Sequence, residues 1–147
     1  MLNKNDLFNA IRTIGIAAGE SLPAKLEQTN GFYFIRMQAD KTLTPSKMQN
    51  LIIKALGGKP IHALEARSRQ MKQLIEDSGK KNKRVILIID GAQFLTPGSL
   101  QAIKGISEII DFGGNMNAGI VLLGEPVALA KILELNQSVF KRTTWFK

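Results

Sequence analysis

The sequence predicts an α/β fold built on a mainly parallel sheet, and two observations carry that prediction. Residues 85–90 (VILIID) and 119–123 (GIVLL) are aliphatic runs of strand length, the pattern of strands buried on both faces. Between and around them lie longer amphipathic stretches with apolar residues at helical spacing, so strands alternate with helices. Hydrophobic residues make up 44% of the chain and charged residues 22%, enough to fill a core and too apolar for disorder.

Each element has its own local reason. Residues 32–37 (FYFIRM) are rich in aromatics and follow the turn signal Thr29-Asn30-Gly31, which predicts a strand. Thr44 is placed to cap a helix that Pro45 opens, with Met48, Leu51, Ile52, Ala55 and Leu56 apolar and Gly57-Gly58 as its stop. A second helix is predicted over residues 61–77, with Leu64, Met71, Leu74 and Ile75 inward, followed by a charged turn at 79–84 (GKKNKR). After the strand at 85–90, Thr96 and Pro97 open a helix over 98–112 with Leu100, Ile103, Ile106, Ile109 and Ile110 inward, and Gly113-Gly114 end it. The strand at 119–123 is followed by Glu125-Pro126 and a helix to about residue 135, and residues 143–147 (TTWFK) supply a last strand. Ligands of such sheets bind beyond the carboxyl ends of the strands, where Asp90 and Glu125 fall.

Composition excludes several chemistries. With 147 residues the chain is expected to form one domain over 1–147. It has no Cys, which excludes disulfides, a thiol nucleophile and a thiolate metal site, and one His, which makes zinc improbable. No apolar run approaches the ~20 residues of a membrane span. The amino terminus lacks the pattern of a secretory signal, so a cytoplasmic protein is expected. Twenty Lys and Arg against twelve Asp and Glu give +8 at pH 7, a charge that attracts polyanions, above all nucleic acid.

Residues 85–90 have the shape of a Walker B strand, in which the terminal Asp holds the magnesium shell and a following Glu polarises water. Here Asp90 is followed by Gly91, which has no side chain for that task. The phosphate-loop candidate is Gly15-Ile16-Ala17-Ala18-Gly19-Glu20-Ser21, one residue short between its glycines and with Glu20 where the pattern needs Lys. His62 reads as a helix-terminal surface residue, and Ser21, Ser46 and Ser99 lack a local His and acid to activate them.

Residues 85–110 (VILIIDGAQFLTPGSLQAIKGISEII) and 119–126 (GIVLLGEP) resemble the AAA+ ATPases that assist DNA transposition, the phage Mu B protein and its transposon relatives. Asp90, Ala92, Gln93, Gly124 and Pro126 match that family's pattern; Gly91 replaces its Walker B Glu and Glu125 its sensor Asn. The resemblance covers roughly residues 32–135 and implies a three-layer sandwich with a P-loop NTPase-like sheet. It also implies a degenerate nucleotide site at Gly15, Gly19, Ser21 and Asp90, with Asp90 touching metal only if a nucleotide binds. The chain stops at Lys147, so no lid domain is expected. The expected function is that of a non-hydrolysing accessory protein of a phage or mobile element, without a cofactor, binding DNA, a transposase or an AAA+ partner subunit. The alternatives are an active transposition ATPase using ATP and magnesium at an atypical site, and a regulatory protein-interaction domain without DNA. Lys80, Lys81, Lys83 and Arg84 form a compact basic patch, with Lys141 and Arg142 near the carboxyl terminus, and the resemblance implies that such patches bind DNA phosphates without reading sequence. Aromatic interleaving is scarce apart from Trp145 and Phe146, so phosphate contact is expected over base stacking. Arg142 falls where the family faces a neighbouring subunit, so an oligomer is compatible with the sequence.

Overall fold

The computed structural model describes residues 14–18, 31–112, 118–137 and 143–145. In chain order these form β1 (Ile14–Ala18), β2 (Phe32–Gln38), α1 (Pro45–Ala55), α2 (Leu64–Lys80), β3 (Arg84–Asp90), a 3₁₀ turn (Ala92–Phe94), α3 (Pro97–Phe112), β4 (Ala118–Gly124), α4 (Pro126–Glu134) and β5 (Thr143–Trp145). The strands make one five-stranded sheet in the order β2-β3-β4-β1-β5, with every pairing parallel. The chain leaves β1 for the far edge at β2, steps inward through β3 and β4, and passes β1 to reach β5. That reversal puts the ligand-binding edge at the carboxyl end of β1.

The aliphatic runs form the centre of the sheet, as their composition predicts. Residues 85–89 are at most 1% exposed, and β4 is buried along its whole length. Alternation divides the faces. Val85, Leu87, Ile89, Ile120 and Leu122 join one core cluster with Ile35 and Met37 of β2 and with apolar residues of all four helices. Ile86, Ile88, Val121 and Leu123 are buried on the opposite face.

Helix α1 begins as predicted. Thr44 is its N-cap, accepting the Lys47 N–H at 3.2 Å, and Pro45 is its first residue. Helix α2 spans Leu64–Lys80 rather than 61–77. Its start is delayed because Gln70 clamps the preceding segment, donating to the Lys59 carbonyl at 2.7 Å and accepting the Ile61 N–H at 3.0 Å. Its end runs on because Gly79 and Lys80 continue the helix before Asn82 turns the chain at φ 61°. The first turns of α1 and α2 meet through Arg67, whose guanidinium donates to Gln49 Oε1 at 2.8 Å and Ser46 Oγ at 3.0 Å. Ser99 of α3 is buried and donates to the Leu43 carbonyl at 2.5 Å, joining that helix to the segment before α1. The side chains of Ile109 and Ile110 lie outside the described set.

Candidate functional site

Parallel pairing brings the carboxyl ends of the strands to one edge. Asp90 ends β3 and Glu125 follows β4, so the two acids share that edge as predicted. Lys80, Lys81, Lys83 and Arg84 lead into β3 and therefore stand at the opposite edge, with the three lysines exposed.

Asp90 lies in register with Gln38 of β2, and its carbonyl accepts the Ala39 N–H at 2.8 Å. Gly91 then takes the left-handed conformation, φ 66° and ψ 33°. A Cβ on Gly91 would lie 2.7 Å from Gln38 Nε2 and 3.5 Å from a Phe94 ring carbon. A side chain at this position is therefore strained by the left-handed backbone and requires the exposed Gln38 amide to move aside. Sequence comparison shows only a missing carboxylate; the structure shows a turn shaped to glycine.

Gln93 joins this turn to the end of β4. Its Oε1 accepts the Glu125 N–H at 3.3 Å, and a Cβ on Gly124 would lie 2.5 Å from that same oxygen. Gly124 therefore makes the space that Gln93 fills. Glu125, which the resemblance sets at a sensor position, is the N-cap of α4: its carboxylate accepts the Val127 N–H at 3.1 Å and the Ala128 N–H at 2.6 Å. A carboxylate at a helix amino terminus is favoured by the helix dipole, so its negative charge serves α4.

The phosphate-loop reading needs one correction. Gly15 lies inside β1, in register with Val121 of β4 on one side and Thr144 of β5 on the other. A residue held between two strands is not free to wrap a phosphate. The small residues of IGIAA suit a loop in isolation; flanked by strands they complete the sheet. Gly19, Glu20, Ser21, Lys141 and Arg142 lie outside the described residues.

The end of β1 at Ala18 also changes the count. The pattern G-x-x-x-x-G-K-[ST] started at Gly19 reads Gly19-Glu20-Ser21-Leu22-Pro23-Ala24-Lys25-Leu26. In that frame Lys25 takes the lysine position, Ala24 replaces the second glycine and Leu26 replaces the magnesium-binding hydroxyl. Sequence reasoning missed Lys25, and the signal that finds it is the strand character of residues 14–18.

The remaining candidates are structural. His62 is exposed just before α2, and its carbonyl accepts a long 3.5 Å hydrogen bond from Arg67. Ser46 and Ser99 are engaged with Arg67 and Leu43 as described above. Among the described residues no group of three His, Cys, Asp or Glu side chains could hold a metal ion, and no helix is long and apolar enough to cross a membrane. The described residues suit a magnesium nucleotide only in part. Asp90 supplies a carboxylate at the carboxyl edge, while Gly91 has no side chain and the Glu125 carboxylate is engaged with the first N–H groups of α4.

Comparison with known proteins agrees with this architecture. The family described as AAA domain matches residues 17–133. No curated relative matches the chain significantly by sequence. Among solved structures, the Aeropyrum pernix ORC2 protein in its ADPNP-ADP complexes is similar, with TM-score 0.62 at 15% identity over 96% of this chain and 43% of that one. CDC6P from Pyrobaculum aerophilum gives TM-score 0.61 at 15% identity over 97% of this chain and 42% of that one. Drosophila ORC bound to AT-rich DNA and Cdc6 gives 0.56 at 12% identity over 96% of this chain and 50% of that one. At these identities the likeness is one of fold, and the chain spans half or less of each neighbour's length. The sheet order and the sequence match over 17–133 converge: the chain belongs to the AAA domain family and has its P-loop NTPase-like α/β fold.

Proposed function

We propose that this domain is a non-hydrolysing AAA+ accessory module of the DNA-transposition type, from a phage or other mobile element. It works by binding DNA through phosphates and by docking on a transposase or an active AAA+ subunit. The observation that carries the reading is Gly91, which has no side chain to activate water and whose left-handed backbone, φ 66°, disfavours a Glu there. The +8 charge supports DNA as a partner. Phe94 and Val127, each 62% exposed and both following strand carboxyl ends, support a protein partner at that edge. The test is phosphate release from ATP and magnesium. No release above the protein-free rate is expected, with no change in Asp90→Ala. Turnover that Asp90→Ala abolishes overturns the reading.

Lys25 favours a second reading, in which the domain holds a nucleotide without turning it over. Calorimetry with ATP and magnesium separates the two. Binding heat that Lys25→Ala removes supports the held nucleotide, and absence of heat eliminates it.

A further inference from the structure

We infer that the carboxyl edge of the sheet docks the amino edge of a second copy of this chain, so that copies stack in line along β3. The inference rests on the reading above only in taking the carboxyl edge as a protein-binding surface, and it names the occupant. The neighbour contact that the resemblance sets at Arg142 is not part of it.

The two edges carry opposite charge where the central strands begin and end. The turn into β3, residues 80–84 (KKNKR), holds four cations and no acid. The segments that close β3 and β4, residues 90–96 (DGAQFLT) and 124–126 (GEP), hold Asp90 and Glu125 and no cation. Glu125 also caps α4, but a carboxylate keeps its charge and offers about four lone-pair sites. The cations Lys41 and Lys47 of this edge follow β2, where Lys47 acts on Asp40.

Phe94 and Val127, each 62% exposed, stand on or next to the same two acidic segments. Gln93 ties those segments together by accepting the Glu125 N–H at 3.3 Å, so the apolar pair and the two acids belong to one end of the sheet. A lysine suits such a surface: its stem is apolar, and its ammonium group is drawn both to an aromatic face and to a carboxylate. Lys80, Lys81 and Lys83 are exposed. Since the basic turn enters β3 and residues 90–96 leave it, two copies placed end to end along β3 bring the turn of one onto Phe94 of the other. The contact joins unlike surfaces. It is therefore heterologous and leaves one unused edge at each end of the stack.

Sedimentation velocity without DNA or nucleotide tests this over a range of protein and salt concentrations. The average mass of the wild type is expected to rise with protein concentration and to fall with salt. Phe94→Ser removes the carboxyl-edge contact, and the triple variant Lys80→Glu, Lys81→Glu, Lys83→Glu reverses the amino edge; each alone is expected to stay monomeric. The triple variant lowers the net charge, which by itself favours association, so its failure to associate reports the contact. Mixed in equal amounts, the two variants retain one good edge each and are expected to form a species of two chains and nothing larger. Thermal melts confirm folding; where Phe94→Ser melts early, Val127→Ser takes its place. A wild type that stays monomeric throughout, variants that associate like the wild type, or a mixture without the two-chain species each overturn the inference. None of these outcomes touches the reading above, whose own test is ATP turnover.

Discussion

At the scale of single residues, Gly91 is more than a missing group, because its backbone conformation disfavours any side chain there. Gly91→Glu restores the family's acid in sequence but places a side chain at φ 66° against the Gln38 amide. Left-handed strain of this kind costs about 1–3 kcal/mol, so urea denaturation of Gly91→Glu is expected to show a loss of that order without any gain in ATP turnover. Adding Gln38→Ala is expected to relieve the steric part and leave the backbone part. A smaller effect is expected at Asp40. The Thr42 hydroxyl and N–H both donate to its Oδ1, at 2.5 Å and 2.7 Å, and hold its carboxyl below the ordinary value of 3.8. With the folded value depressed, the interaction favours the fold above the ordinary carboxylate range and is lost as pH falls through the folded value. Thr42→Val removes the hydroxyl bond, and an NMR titration is expected to show the Asp40 carboxyl moving up toward 3.8.

At the scale of elements, helix caps decide where chemistry has given way to structure. Glu125 caps α4 with both carboxylate oxygens, so Glu125→Ala is expected to cost about 1 kcal/mol of stability. Glu125→Asn keeps a capping side chain and recreates the sensor residue. It is expected to cost less than the alanine variant and still to give no phosphate release, because Gly91 is unchanged. Paired thermal melts and ATPase assays on the two variants check both statements. The α1–α2 pair depends on a different device. Arg67, 8% exposed, is bonded to Gln49, Ser46 and the His62 carbonyl, all neutral acceptors. Arg67→Ala leaves the half-buried Gln49 Oε1 without the donor that holds it, and urea denaturation is expected to show a loss of about 1 kcal/mol.

At the scale of the whole molecule, parallel strand order separates two edges. Asp90, Gln93 and Glu125 gather at the carboxyl edge; Lys80, Lys81, Lys83 and Arg84 stand at the amino edge. Phosphate contact at the amino edge is expected to follow counterion release, with duplex affinity falling by ~0.9 log unit per log unit of salt for each phosphate neutralised. Replacing the four basic residues by Ala is expected to weaken all duplexes alike and flatten that slope in anisotropy titrations. Unchanged affinity would remove this turn from the DNA surface.

The sequence by itself determined the fold class, the parallel sheet and the start of α1, because these follow from local causes: aliphatic runs, helical periodicity and a Thr-Pro cap. It also determined that Asp90 and Glu125 share an edge, since both end strands that run the same way. Tertiary structure decided the rest. Residues 14–18 are weakly marked in isolation and become a strand only between β4 and β5, and that placement moves Gly15 out of the phosphate loop and shifts the count to Lys25. Gly91 reads as a simple deletion until the Gln38 amide, contributed by another strand, is found in the space beside it. Local sequence fixes what an element is, while the partner across the sheet fixes what its side chains are able to do.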